Sequence, residues 1–110
     1  MYAEDRSVSK VVDLLVDTGS TYSWVPRSLL EGISIRPVMT RNFRTIGGRS
    51  LKRDVGEVLL EAVNERATSM VVFAEKGEAN VLGVHALDGL GLEVDPVSKE
   101  LRRTEALLAL

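Results

Sequence analysis

The residues best suited to carry out chemistry are Asp17, Thr18, Gly19 and Ser20. They follow residues 11–16, an aliphatic and β-branched run typical of a buried strand. Thr18 and Gly19 favour a turn at the end of that strand. We therefore expect Asp17 to present a carboxylate there. Two carboxylates that share one proton can act together as acid and base, but this turn supplies only one.

The same four residues have a plainer interpretation. Asp often satisfies backbone donors within its own turn, and a turn hydroxyl needs no further role. On this alternative, Asp17 is structural, while Thr18 and Ser20 are ordinary turn residues. The rest of the sequence favours the chemical interpretation, because further motifs follow the turn.

Three later segments complete a recognisable pattern. They read Trp-Val-Pro at residues 24–26, Thr-Ile-Gly-Gly-Arg-Ser at residues 45–50 and Asn-Val-Leu-Gly-Val at residues 80–84. With the Asp17 motif they resemble, in order, the active-site turn, the Gly-rich flap and the second signature of the retropepsin-like aspartic proteases. The resemblance covers most of residues 11–96 and is nearer to the cellular and prokaryotic branch than to the retroviral one.

The resemblance implies an all-β chain folded as a single-lobe, closed β-barrel with one short helix, the acid-protease fold, over one domain at residues 1–110. It also implies a homodimer, because the chain has one Asp-Thr-Gly turn and the chemistry needs two carboxylates. The expected roles are catalysis by Asp17, support of the turn by Thr18, Gly19 and Ser20, substrate binding in the flap by Ile46, Gly47 and Gly48, and a structural second signature at Val81, Leu82 and Gly83. In the pepsin-like pattern the Ser20 hydroxyl donates toward the catalytic carboxylate.

The function implied is that of an aspartic endopeptidase that cleaves peptides or proteins through an activated water. A catalytically silent peptide-binding or dimerisation module is the alternative. An apolar tail, Leu107–Leu110, leaves a third possibility, a structural subunit of a larger assembly. Retroviral relatives pair an Arg after the second-signature Gly with an acid beyond the catalytic Asp. Here these positions hold Val84 and Thr21, which predicts a weak dimer.

Composition narrows the classes of function. The net charge is −2, and the Arg residues are distributed along the chain, so we expect no nucleic-acid partner. The chain has no Cys, which excludes thiol catalysis and favours a reducing, cytoplasmic location. No apolar run is long enough for a membrane span, and residues 1–10 do not resemble a signal peptide. No cofactor or metal is expected, because the one His and the absence of Cys give no ligand set.

The sequence pattern predicts short strands at close spacing, as in a compact barrel. The expected strands or extended segments are 8–16, 22–25, 33–43, 51–62, 67–74, 81–84 and 92–94. The expected helical segments are 26–31 and 85–90. The sequence pattern of residues 101–110 is compatible with either a helix or a strand.

Overall fold

The computed structural model describes residues 1–104, which form mostly β-strands with two short helices. The strands are β1 (Leu15–Val16), β2 (Ser23–Pro26), β3 (Met39–Arg44), β4 (Ser50–Ala62), β5 (Glu65–Ala74), β6 (Val81–Leu82), β7 (Leu92–Val94) and β8 (Leu101–Arg103). The helices are α1 (Arg27–Gly32) and α2 (Val84–Leu90). The apolar tail at Leu107–Leu110 lies outside the described residues.

Six strands form one mixed sheet in the order β1-β6-β2-β5-β4-β3. The pairs β1–β6 and β2–β5 are parallel, and the other neighbours are antiparallel. Strands β1 and β3 lie at opposite edges, so the sheet is open. The predicted closed barrel is therefore wrong. The two helices are those expected at residues 26–31 and 85–90, whereas the fold implied by the resemblance has only one. The remaining strands, β7 and β8, pair separately as a small antiparallel sheet.

The longest pairing joins β4 and β5, from Val55 opposite Val72 to Ala62 opposite Glu65. Val63 and Asn64 connect the two strands with positive φ angles of 53° and 61°. Two such residues match the right-handed twist of a tight hairpin. β5 is buried over its last residues, Val71 to Ala74, because it lies in the middle of the sheet.

The core lies where the central strands meet the two helices. Phe73 and Val25 from the central strands, and Leu30 from α1, are fully buried. From α2, Ala86, Leu87 and Leu90 join the same cluster. Both helices bury one face against the sheet, and this burial stabilises helices too short to persist alone.

The strand expected at residues 81–84 ends at Leu82, and two longer predicted segments are shortened more strongly. In the expected strand at residues 8–16, only Leu15 and Val16 pair with another strand, and Val11 is 95% exposed. In the expected extended segment at residues 33–43, pairing begins at Met39. In both segments the β-forming side chains are present, but most of the backbone finds no neighbouring strand.

The order of the strands brings distant segments of the chain together. β1 and β2 are consecutive in sequence, yet they do not pair with each other, because β6 lies between them. The turn that contains Asp17 therefore connects two strands that flank β6. Within residues 1–104, neither helix is long and apolar enough to cross a membrane.

Candidate active site

Asp17 directly follows β1, at the edge of the main sheet, and its side chain is exposed. We call residues 17–22 the Asp17 turn. In it, the Ser20 backbone N–H donates a hydrogen bond to the Asp17 carbonyl oxygen at 3.1 Å. The Gly19 N–H donates to Asp17 Oδ1 at 2.9 Å. The turn thus holds one carboxylate oxygen in place and leaves the group accessible to solvent. Thr18 and Gly19 are exposed beside it.

The Asp17 turn is bonded on both flanks to residues 80–85, the 80–85 segment. On the β1 side, the Asp17 N–H donates to the Leu82 carbonyl at 3.0 Å. Past the turn, the Val84 N–H donates to the Ser20 carbonyl at 2.8 Å, and the His85 N–H donates to the Thr21 carbonyl at 3.1 Å. The first motif and the second signature, far apart in sequence, are therefore adjacent in the fold.

Gly83 is buried at the centre of this junction and tolerates no side chain. A Cβ there would lie 2.5 Å from the Tyr22 carbonyl oxygen and 2.7 Å from that of Ser20. The Gly83 N–H donates to the Ser23 hydroxyl oxygen at 2.9 Å, and Ser23 is fully buried. Gly is thus required here by close backbone approach, and its amide is satisfied by a side chain. Val81 and Leu82, in β6, are also buried.

Ser20 does not make the bond expected from the pepsin-like pattern. Its hydroxyl donates to the Tyr22 carbonyl at 2.7 Å. The short side chain closes a local turn with its own backbone, which competes with any bond to the carboxylate. Ser20 therefore supports the shape of the turn in this chain.

The predicted flap is the tip of a long hairpin formed by β3 and β4. We call its residues 39–55 the 39–55 hairpin; they pair from Met39 opposite Val55 to Arg44 opposite Ser50. The Thr45 N–H donates to the Arg49 carbonyl at 2.8 Å and closes the tip. Ile46 and Gly47 are exposed at this tip, as is Gly48, which has a φ of 83° that favours Gly.

An aromatic cluster that the motifs did not reveal joins the hairpin to the Asp17 turn. The Phe43 ring lies 5.2 Å from that of Trp24 and 5.8 Å from that of Tyr22, both edge-on. The His85 ring is 5.5 Å from Tyr22 on another side. These separations are typical of favourable aromatic pairs. Trp24 is half-buried and contacts the 39–55 hairpin through Phe43. Phe43 carried no motif that could have identified it.

Two charged contacts join the hairpin to its surroundings farther from the tip. Arg53 contacts both oxygens of Glu78, with Nη2 to Oε2 at 2.6 Å and Nε to Oε1 at 3.0 Å. This bidentate contact holds the pKa of Glu78 below its ordinary value, and the backbone N–H of Glu75 adds to the effect. Arg27 likewise contacts Asp54 at 2.7 Å and Glu75 at 2.9 Å.

A cavity of about 310 Å³ adjoins this site, with Val16 and Leu82 in its lining, but does not include Asp17. It is lined largely by apolar side chains between the N-terminal segment and the sheet, among them Val12, Leu14, Leu60 and Leu101. Within residues 1–104, no three His, Asp or Glu side chains are grouped as a metal site requires. The first motif and the second signature meet at the exposed Asp17 turn, and the hairpin approaches that turn through Phe43 and Arg41.

Comparisons with protein-family models, curated proteins and solved structures give no significant match to this chain. The resemblance to retropepsin-like proteases therefore remains a prediction from the motifs.

Proposed function

We propose that this chain is an aspartic endopeptidase of the retropepsin-like type, with Asp17 as its catalytic carboxylate. The observation that carries the proposal is the junction at Asp17. Two motifs predicted to build one active site are bonded to each other through the backbone, and Asp17 stays exposed beside them. A rigid turn that presents a solvent-accessible carboxylate is the arrangement that water activation requires.

The active species in this proposal is a homodimer, in which Asp17 of a second copy supplies the other carboxylate. β1 is an edge strand, and Leu15, two residues before Asp17, is 73% exposed. Val11 adds a second exposed apolar side chain in the same segment. Exposed apolar groups beside an unpaired edge fit a surface that a second copy covers. The backbone bonds at Thr21 and Val84 support each turn without an ion pair.

In the proposed reaction, one carboxylate of the pair is ionised and the other is protonated. The ionised group takes a proton from water as the water oxygen attacks the scissile carbonyl carbon, and the protonated group donates to the carbonyl oxygen. The C–N bond of the tetrahedral intermediate then breaks. The amine takes a proton from the protonated carboxyl, and a hydroxyl of the intermediate returns a proton to the other carboxylate as the acid product forms. The 39–55 hairpin lies over an extended substrate, which it binds through backbone hydrogen bonds as in strand addition.

The cytoplasmic location predicted from the sequence belongs to this proposal.

The first test replaces Asp17 with Asn. Asp17→Asn should abolish cleavage of a fluorogenic peptide library and leave the circular dichroism spectrum unchanged, because the amide has the same shape but cannot transfer the proton. Asp13→Asn is the matched control, since Asp13 is an exposed Asp outside the turn. Wild-type activity should have an acidic optimum, at about pH 3 to 6, because the pair must carry one proton.

Mixing the two proteins tests the shared site. If each site needs one Asp17 from each copy, an equal mixture of wild type and Asp17→Asn should show about one quarter of the activity of the same total amount of wild type, because random pairing leaves that share of intact dimers. About one half would indicate that each chain acts alone. If the chain forms dimers but cleaves no peptide, the endopeptidase hypothesis is wrong and the silent peptide-binding module is favoured instead.

A further inference from the structure

The basic residues, expected from the sequence to be distributed along the chain, are concentrated near the candidate flap. Six of the 14 Lys and Arg residues lie within residues 32–53, where there is no Asp or Glu. The rest of the chain holds the other eight against all 16 acidic residues. An acidic protein therefore carries one basic hairpin, in which the single acidic residue, Asp54, is paired with Arg27.

Most of this positive charge is not neutralised by the protein. Of the five basic residues on the 39–55 hairpin, only Arg53 takes part in an ion pair within residues 1–104, with Glu78. The other four have no acidic partner in that part of the chain; they are Arg41, Arg44, Arg49 and Lys52. All four are exposed. Unpaired cations grouped on one element attract anionic partners and speed their association.

The position of Arg41 is the most specific feature. Arg41 lies directly opposite Arg53 across the two strands, and like charges in that arrangement destabilise a sheet. Glu78 neutralises Arg53, whereas within residues 1–104 no ion pair does so for Arg41. The Arg41 guanidinium lies 5.9 Å from the centre of the Tyr22 ring. The cation that lacks a carboxylate is therefore the one beside the Asp17 turn.

We propose that the 39–55 hairpin recognises acidic peptide segments, and that Arg41 binds a substrate Asp or Glu side chain. This inference rests on the proposed function and specifies its substrate class. The carboxylate would complete at Arg41 the neutralisation that Glu78 provides at Arg53. Phe43 and Leu51, opposite each other on the same side of the hairpin, offer an apolar surface for a neighbouring residue of the peptide.

An extended peptide fits the charge distribution better than a nucleic acid does. The basic surface is limited to one hairpin, while the rest of the chain has twice as many acidic as basic residues and repels a long polyanion. Recognition of a peptide needs only a few carboxylates along one strand. The substrate class is thus defined by acidic side chains near the cleaved bond.

Binding should be measured on full-length Asp17→Asn, which separates recognition from cleavage. The probes are a labelled peptide of about ten residues rich in Glu, and its counterpart with Gln in place of Glu. We expect the Glu peptide to bind on the order of tenfold more tightly at low salt, with the difference shrinking as salt is added. Fluorescence anisotropy gives the affinity. The single Trp, Trp24, lies 5.2 Å from Phe43 and gives an unlabelled signal.

Variants then locate the effect. Arg41→Gln should remove most of the preference for Glu, whereas Arg41→Lys should keep most of it because the charge remains. Lys76→Gln is the matched control: it removes one exposed positive charge from a loop outside the hairpin. Circular dichroism checks that each variant is folded.

Several results would overturn the inference. They are equal binding of the Glu and Gln peptides, no binding of either, an equal loss in Arg41→Gln and Lys76→Gln, or tighter binding of a single-stranded oligonucleotide of similar length. The proposed function fails separately. If wild type prefers Glu peptides but cleaves no peptide, recognition of acidic segments is supported and the peptidase function is contradicted. If it cleaves peptides without preferring acidic ones, the peptidase function is supported and the recognition of acidic segments is contradicted.

Discussion

The Asp17 turn and the tip of the 39–55 hairpin are two halves of one candidate site, yet they are held in opposite ways. Backbone bonds from the 80–85 segment, whose residues 81–83 are buried, fix the turn on both flanks. The outer hairpin pairs strand to strand and is almost entirely exposed, and it contacts the turn through side chains such as Phe43 and Arg41. Because few buried contacts hold the outer part of the hairpin, we expect it to open locally at a lower free-energy cost than the turn.

The strongest way to break the fixed half is Gly83→Ala. Its Cβ would meet two backbone carbonyl oxygens that cannot move without disrupting the junction. We expect a loss of about 2 to 4 kcal/mol in the free energy of unfolding, measured by urea denaturation, together with loss of activity. Gly89→Ala is the control, because a Cβ on Gly89 in α2 lies 3.4 Å from that of Ala67, an ordinary contact. Equal stability of the two variants would show that the junction is not tightly packed.

Phe43→Ala should loosen the hairpin and leave the turn unchanged. Phe43 is half-buried and contacts Tyr22 and Trp24, so we expect a loss of about 1 to 2 kcal/mol. Hydrogen exchange should speed up at residues 39–55 and stay slow at Asp17 and Val84. Ile46→Ala at the exposed tip should not change stability. Faster exchange in the Asp17 turn would mean that the two halves are coupled.

Glu78→Gln tests the charged contact that supports the hairpin. Because Arg53 lowers the pKa of Glu78 in the folded chain, this stabilisation is present above the unfolded value of 4.5 and disappears as the pH falls through the lower folded value. We expect a cost of about 1 kcal/mol at pH 7, which vanishes at acidic pH as Glu78 is protonated in both states. Thermal unfolding across pH measures it. Glu100→Gln, on an exposed loop, should show no such trend.

The smallest expected effect is that of Ser20→Ala. Its hydroxyl bonds to the Tyr22 carbonyl, so the variant should lose about 0.5 to 1 kcal/mol of stability. The pH profile of cleavage should not move, because this hydroxyl does not donate to the carboxylate. A shifted profile would mean that Ser20 turns toward Asp17 in the active dimer, as the pepsin-like pattern predicts.

Local features of the sequence were enough to predict the local structure of the site. The turn at Thr18 and Gly19 and the hairpin at Gly47 and Gly48 depend on a few neighbouring residues whose backbone preferences are strong. The same holds for α2, which begins at Val84, one residue before the helical segment expected at residues 85–90.

The arrangement of the strands could not be predicted in this way. Nothing in the aliphatic run at residues 11–16 shows that only Leu15 and Val16 pair with β6, because a strand's partners lie elsewhere in the chain. The closed barrel failed for the same reason, since the alternation of side chains does not say whether β1 and β3 meet. Phe43 was missed because its aromatic partners, Tyr22 and Trp24, belong to another segment.

The insertion of β6 between β1 and β2 has a consequence for the newly made chain. During synthesis, Asp17 emerges from the ribosome long before Val81 and Leu82. The Asp17 turn therefore lacks the strand β6, with which β1 and β2 pair, until that later segment has been made. Pairings between such distant segments form slowly, because a long loop must close first. If Asp17 is catalytic, the new chain is therefore expected to gain activity only after residues 81–85 have been made and have joined the Asp17 turn.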